Sequence, residues 1–219
     1  MSDTYRLDRA ARVLFDQRGR AFDPITRQWG KNPLANPACG ESIASTAAVT
    51  WLQKENDHPL RIPVGVIGPR AAAAAQLAAA ERIGAGLADM GLTVICGGRG
   101  GVMQAVCEGV RRGGGLSIGL LPEASAESAN PHVTVALATG IGEARNALIA
   151  RASLCLVAIG DSYGTLSEVA LGLQFGKAVI GVEGAAEVEG VRHAVTTDDA
   201  LGLVARVVLG GGLGAPGRE

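Results

Sequence analysis

Residues 154–168 read LCLVAIGDSYGTLSE, an apolar run followed by small and polar residues. The run predicts a buried strand, and the apolar spacing from Val169 to Phe175 predicts a helix. A small-residue loop between them directs free backbone N–H groups and the positive end of the helix dipole at one point, which suits phosphate. We expect Glu168 in the first turn of this helix, facing the bound group. The alternative is an ordinary strand–helix connection with Glu168 at the surface, and this stretch alone leaves both open.

The chain from residue 62 onward alternates apolar strands with helical patterns. Strands are predicted at 62–67, 92–96, 116–121, 132–138, 154–159, 178–182 and 193–195, and helices at 71–90, 102–112, 143–153, 165–176 and 198–209. This alternation predicts a parallel sheet covered on both faces, which is a doubly wound, Rossmann-like α/β fold. Ligands of such folds bind beyond the carboxyl ends of the strands.

Three glycine-bearing loops follow predicted strands and therefore converge on that edge: 68–70, 97–101 and 160–164. In the second loop, glycines allow the backbone to approach a pyrophosphate, and Arg99 adds charge. The loop is not followed by Gly-Lys-Ser/Thr, which excludes a P-loop, and it lacks the pattern of a standard NAD site. Arg145 and Asn146 begin a helix at the same edge, where the guanidinium can neutralise phosphate or orient Glu168. A surface salt bridge is the alternative for Arg145.

Residues 1–60 lack the regular alternation of strands and helices that is predicted for the rest of the chain. A short hairpin turning at Gly19 is predicted, then a loop from 36 to 40 and a helix over 42–55 that packs Trp51 onto the main domain. We therefore expect three parts: an N-terminal hairpin-plus-helix extension over 1–60, a Rossmann-like ligand-binding domain over 61–209, and a flexible tail over 210–219.

Composition argues against several classes of partner. The 219-residue chain has a formal net charge of −1, a pI of about 6.3 and 3% aromatic residues, so we expect no nucleic-acid partner. Its four cysteines include no close pair, and none of its three histidines lies near a cysteine, so we expect no metal site. There is no signal-peptide core or membrane-length apolar run, so we expect a reduced, soluble, cytoplasmic protein with no membrane partner.

Three motifs occur in order along the main domain: GGRGGVMQAV at 97–106, EARNALIARAS at 143–153 and GDSYGTLSEVALGLQFGKAVIG at 160–181. Together they resemble the LOG-like (SLOG) superfamily of Rossmann-like proteins. The branch they are most similar to is that of the molybdenum-cofactor carrier proteins, in which YGTLSE followed by GK and a strand is typical. The resemblance covers roughly residues 62–182 and leaves residues 1–60 outside.

The resemblance implies a site for a small phosphorylated ligand. In the cytokinin-activating enzymes of the superfamily, a PGGxGTxxE motif and an arginine of an RK pair form a nucleoside-monophosphate site. By position, Glu168, Gly164 and Thr165 match the first motif, and Arg145 matches the arginine. The chain departs from that pattern at Gly160-Asp161-Ser162, at Asn146 and at Ser167. The candidate binding residues are Gly68, Gly97, Gly98, Arg99, Gly100, Gly101, Arg145, Asn146, Ser162, Gly164, Thr165 and Glu168.

Three functions are compatible with this set. The leading one is a binding or carrier protein for a phosphorylated nucleotide-like or pterin cofactor, with molybdenum cofactor as the best candidate cargo. The alternative is a nucleoside 5′-monophosphate phosphoribohydrolase in which Glu168 and Arg145 are catalytic. A third is a ligand-sensing subunit. The resemblance also implies a homo-oligomer, either a dimer or a tetramer.

Overall fold

A computed structural model describes residues 4–31 and 40–213. The N-terminal part forms a five-stranded antiparallel sheet and one helix. The strands are β1 (Thr4–Asp8), β2 (Val13–Phe15), β3 (Ala21–Asp23), β4 (Gln28–Gly30) and β5 (Glu41–Ala44), and helix α1 (Ser45–Lys54) follows. They are arranged in the order β4-β3-β2-β1-β5.

The remaining chain forms a seven-stranded parallel sheet with helices on both faces. Its elements are β6 (Val64–Ile67), α2 (Ala74–Asp89), β7 (Val94–Cys96), α3 (Val102–Arg112), β8 (Ser117–Leu121), β9 (Val135–Ala138), α4 (Arg145–Ala152), β10 (Cys155–Ile159), α5 (Tyr163–Gln174), β11 (Ala178–Val182), β12 (Val191–His193) and α6 (Thr197–Val208). The strand order is β12-β11-β10-β6-β7-β8-β9, with every pairing parallel. The predicted doubly wound, Rossmann-like fold is confirmed.

Two clusters of buried side chains sandwich the sheet. One contains Val66, Val94 and Val157 from the strands together with residues of α1, α2, α3 and α6. The other, on the opposite face, contains Leu156 and Ala158 with residues of α4 and α5. Successive strand residues point to opposite faces, so strands covered on both sides are apolar throughout, which is the pattern that identified them in the sequence.

The N-terminal part is larger than the predicted hairpin. The hairpin exists as β2 and β3, with the turn closed by the Gly19 N–H donating to the Asp16 carbonyl at 3.0 Å. The sequence interpretation missed β1, β4 and β5, and it began the helix three residues too early. Residues 42–44 pair with β1 instead of entering the helix, through contacts such as Thr4 with Ala44. Such three- to five-residue strands with distant partners carry little local signal.

Residues 4–31 pack against the end of α6. The Trp29 indole N–H donates to the Leu209 carbonyl at 2.8 Å, and Arg27 donates to the Val208 carbonyl. Tyr5 stacks on Trp29 with ring centroids 5.5 Å apart. Trp51 is 4% exposed within the same buried cluster as α6, so the predicted core packing of this side chain is confirmed. The domain boundaries at residues 60 and 209 remain a prediction, and residues 36–39 and 214–219 of the predicted loop and tail lie outside the described residues.

The cysteines behave as small apolar residues. Cys96, Cys107 and Cys155 are free and buried, which confirms the prediction for Cys96 and Cys155, and Cys39 lies outside the described residues. Over residues 4–31 and 40–213, no three histidine, cysteine or acidic side chains are grouped as a bound metal ion requires. Within the same ranges, no helix combines the length and apolar character needed to cross a membrane.

Helices α2 and α3 make their contact through glycine. A Cβ added to Gly109 would collide with the carbonyl oxygen of Glu81 in α2. Gly202 in α6, by contrast, has open space around its Cβ position. Substitution of Gly109 therefore tests the close packing of the helices, and substitution of Gly202 tests helix propensity alone.

We expect Gly109→Ala to lower the free energy of unfolding by about 1–3 kcal/mol, because the helices must separate to admit the methyl group. We expect Gly202→Ala to raise it by about 0.5–1 kcal/mol, since alanine is the better helix former. Urea unfolding followed by circular dichroism measures both. Equal effects of the two substitutions would contradict the packing assignment.

Candidate functional site

A cavity of about 620 Å³ opens at the carboxyl edge of the parallel sheet, between β6 and β10. These adjacent strands are where the chain reverses direction across the sheet: β7, β8 and β9 extend one way and β11 and β12 the other. Loops after adjacent strands diverge at such a switch point and leave a crevice. The volume is within the range of small-molecule sites. The lining residues are Ile67, Gly68, Pro69, Arg70, Ala71, Gly97, Arg99, Met103, Glu143, Arg145, Asn146, Asp161, Ser162, Tyr163, Gly164, Thr165, Ser167 and Glu168.

The N-terminus of α5 forms one wall of this cavity. Ser162 is the N-cap: its hydroxyl accepts the Thr165 N–H at 3.1 Å and lies 2.9 Å from the Thr165 hydroxyl. The backbone N–H groups of Tyr163 and Gly164 precede the intrahelical hydrogen bonds, so their donors are available to an anion. The helix begins two residues before the predicted start at Thr165, because Ser162 caps it. Glu168 consequently lies in the second turn and not, as predicted, in the first.

Arg145 and Glu168 meet at the base of the cavity. Their side chains are 6% and 8% exposed, and Arg145 Nη1 lies 3.4 Å from Glu168 Oε1. The same Nη1 donates to Asn146 Oδ1 at 2.7 Å, and Asn146 Nδ2 donates to Ser167 Oγ at 3.0 Å. Neither Arg145 nor Glu168 is a surface residue, so the surface alternatives considered for them do not describe this fold.

The guanidinium of Arg145 is only partly satisfied. Its Nε is buried and has no hydrogen-bond acceptor among the described residues. Gly97 at the end of β7 lies against the same guanidinium: a Cβ there would be 2.7 Å from Arg145 Nη2. Buried polar atoms are nearly always paired, because leaving a donor without a partner costs roughly 1–3 kcal/mol. The cavity therefore presents a buried cation with spare donor capacity.

Burial raises the pKa of Glu168 to about 8, with Arg145 opposing the rise and Glu143 adding to it. The desolvation of a carboxylate outweighs the attraction of the single guanidinium 3.4 Å away. At neutral pH Glu168 is consequently mostly a neutral carboxylic acid, which both donates and accepts hydrogen bonds. Arg145 is left with little compensation from this partner.

The loop from Gly97 to Gly101 is used only in part. Gly97 and Arg99 line the cavity, whereas Gly98, Gly100 and Gly101 do not. Gly101, the N-cap of α3, packs against the Pro69 and Arg70 carbonyls, and the Pro69 carbonyl accepts the Val102 N–H at 3.1 Å. The 68–70 loop thus covers the α3 N-terminus, the predicted position for pyrophosphate. Arg99 is paired with Glu123 and lies 3.5 Å from Glu143.

The structure brings together nine of the twelve predicted binding residues. Gly68, Gly97, Arg99, Arg145, Asn146, Ser162, Gly164 and Thr165 line the cavity with Glu168, so nine predicted positions in all contact one space.

Sequence reasoning missed several lining residues. Glu143 stands two residues before Arg145, and Ser167 is one helical turn after Gly164, to whose carbonyl it donates at 2.7 Å. Periodicity gave a usable signal for Ser167. Met103 had none, because an apolar residue in a buried helix is normally core.

Comparisons with known proteins agree with the motifs. The model of the SLOG cluster4 family matches residues 61–207. An uncharacterized protein of Archaeoglobus fulgidus is 36% identical over 138 residues, 63% of this chain and 91% of that protein. The solved molybdenum cofactor binding protein of Rippkaea orientalis is 31% identical with a TM-score of 0.65, covering 68% of this chain and 99% of that one. The molybdenum cofactor carrier protein of Chlamydomonas reinhardtii is 33% identical with a TM-score of 0.63, covering 68% and 99%. The resemblance to the SLOG superfamily is confirmed.

The raised pKa of Glu168 predicts a pH-dependent stability. Between the pKa values of the unfolded and native states, the native protein keeps a proton on Glu168. The unfolded chain, in which the pKa of this carboxyl is near 4.5, has released it. Raising the pH therefore favours unfolding between about 4.5 and 8, and the stabilisation present below 4.5 is lost above 8. As the pH rises across this window, we expect the free energy of unfolding of wild type to fall relative to that of Glu168→Gln. Urea titrations at several pH values measure it, and a difference that does not vary with pH would contradict the assignment.

Proposed function

We propose that this chain, which belongs to the SLOG cluster4 family, binds and carries a phosphorylated, pterin-type cofactor, with molybdenum cofactor as its cargo. The observation that carries the proposal is the buried Arg145, whose Nε donor is open in a cavity of suitable volume beside the α5 N-terminus. A cation and a helix N-terminus aimed at the same space favour a phosphorylated ligand.

The phosphate is expected at the start of α5. The Tyr163 and Gly164 N–H groups and the Ser162 and Thr165 hydroxyls would bind its oxygens, and Arg145 would balance its charge. The Ser162 and Thr165 hydroxyls lie 2.9 Å apart, so one donates to the other and both are fixed in position before the ligand arrives, with one hydroxyl proton left for the phosphate. Preorganisation of this kind reduces the entropy lost on binding.

The opposite part of the cavity suits a planar heterocycle with polar edges. Protonated Glu168 can donate a hydrogen bond to a ring nitrogen or carbonyl while its other oxygen accepts one. Asn146 and Ser167 add amide and hydroxyl groups nearby. Gly68 and Gly97 also line the cavity, and a Cβ at either position would collide with neighbouring protein atoms.

The solved neighbours support this proposal over hydrolysis. Two proteins with this fold, at 31% and 33% identity, are described as a molybdenum cofactor binding protein and a molybdenum cofactor carrier protein. A phosphoribohydrolase would need an ionised Glu168 to stabilise a positively charged ribosyl centre. With its pKa raised to about 8, Glu168 in the free protein is mostly protonated at neutral pH.

We expect ligand-free protein to bind isolated molybdenum cofactor saturably and Arg145→Lys to weaken the binding roughly tenfold, because lysine lacks the planar fork and the Nε donor. Arg111→Lys is the matched control: Arg111 is exposed in the last turn of α3, and this substitution should leave the affinity unchanged. Equilibrium titration of each purified protein measures the effect.

Two outcomes would count against the proposal. Absence of saturable binding by the wild type would remove the molybdenum-cofactor version. Release of free base from AMP or another monophosphate, lost in Glu168→Gln, would establish the hydrolytic alternative in its place.

We also propose that the protein forms a homo-oligomer through the face formed by α4 and α5. Leu148 in α4 and Leu166 in α5 are 45% and 36% exposed, and Tyr163, at the start of α5 and in the lining of the cavity, is 95% exposed. Helices α4 and α5 pack against each other, and large exposed apolar residues on adjacent helices are typical of an interaction surface.

We expect light scattering to give a mass of at least twice 22.2 kDa. Leu148→Glu should reduce the mass to that of the monomer, because a charge would be buried without a partner. Leu116→Glu, at a position that is 41% exposed and precedes β8, is the matched control and should leave the mass unchanged. A monomeric wild type would refute the proposal.

A further inference from the structure

Glu143 places a carboxylate between the two arginines at the cavity. Its Oε1 lies 3.5 Å from Arg99 Nη1, and its Oε2 lies 3.8 Å from Arg145 Nη2. Arg99 belongs to the loop after β7 and Arg145 to the first turn of α4, so one side chain connects two walls of the site. Glu143 also lines the cavity.

The position of Glu143 distinguishes it from the structural carboxylates nearby. Its side chain is 68% exposed, whereas Glu168 is 8% exposed and Glu123, paired with Arg99 and bound by Ser128, is 33% exposed. Both contacts of Glu143 with the arginines are long. Because the Glu143 carboxylate is itself mostly exposed and both contacts are long, it can move into solvent at small cost.

The charged groups around Arg145 show which part of a ligand Glu143 stands in for. Arg145 faces Glu168, which is mostly neutral at neutral pH, and Arg145 Nε has no acceptor among the described residues. Glu143 is an exposed carboxylate whose Oε2 lies 3.8 Å from this guanidinium. An anionic group of a ligand that reaches Arg145 must compete with it.

We propose that Glu143 is an internal competitor for the anionic group of the ligand: it neutralises Arg99 and Arg145 in the empty site and is displaced when the ligand binds. The inference rests on the proposed function, since it requires an anionic ligand in this cavity. A small anion gains little beyond the contacts that Glu143 already makes, whereas a larger ligand adds contacts to the rest of the cavity. Glu143 thereby lowers the affinity for every anion at this position, and a small anion has no further contacts to offset the loss.

The test is titration of wild type and Glu143→Gln with inorganic phosphate and with AMP by isothermal calorimetry. The substitution keeps the size of the side chain and removes its charge. We expect the dissociation constants of both probes to fall on the order of fivefold in low salt, and the gain to shrink in 0.5 M salt as the charges are screened. Glu189→Gln removes the same charge from an exposed position outside the cavity and should change neither constant.

The outcomes separate this inference from the proposed function. If the wild type binds the probes or molybdenum cofactor and Glu143→Gln binds them no more tightly, the inference is wrong and the carrier proposal stands. An equal gain in Glu189→Gln would show a general charge effect and also overturn it. If neither probe nor molybdenum cofactor binds either protein, both proposals fall. Glu143→Asp keeps the charge but shortens the side chain, so its dissociation constants should lie between those of wild type and Glu143→Gln. This variant also checks that misfolding does not cause the change in affinity.

Discussion

The burial of the Arg145 guanidinium is the constraint around which the site is built. A cation that is 6% exposed needs compensation, and the described groups supply it incompletely: Asn146 at 2.7 Å, a mostly neutral Glu168 at 3.4 Å and an exposed Glu143 at 3.8 Å. An ionised Glu168 would compensate this cation fully, but desolvation of the carboxylate opposes its ionisation. The protein therefore retains a partly uncompensated positive charge in a crevice. Such a charge is costly for stability and useful for binding an anion.

The fold maintains this arrangement because a different element of the core holds each wall. The start of α4 brings Arg145 from one face of the sheet, the end of β7 brings Gly97, and the capped N-terminus of α5 brings Ser162 and Thr165. All meet at the point between β6 and β10 where the order of the strands reverses. Burial on both faces of the sheet leaves these strands little freedom to shift. The candidate binding groups thus lie at the ends of elements that the core holds in place.

Whether the site suits ligand binding or hydrolysis depends on the protonation of Glu168. A neutral Glu168 provides a hydrogen-bond donor and acceptor that suits a heterocycle, whereas an ionised one would stabilise a developing cation. Desolvation selects the neutral form here, and the departures at Asp161, Ser162 and Asn146 alter the surroundings that the related enzymes use. This chemistry agrees with a carrier role and with the solved neighbours that bind molybdenum cofactor.

Local pattern by itself determined the parallel sheet, the order of its elements and the edge where the site lies, because continuous apolar strands, glycine turns and helical spacing are local properties. It also identified Arg145, Thr165 and Glu168, since their motifs are contiguous. Only the tertiary structure decided three further features. The β1–β5 pairing joins segments more than 30 residues apart, the 68–70 loop packs against Gly101 at the start of α3, and the pKa of Glu168 depends on how completely neighbouring elements exclude water. Each follows from contacts between distant segments, which no window of sequence contains.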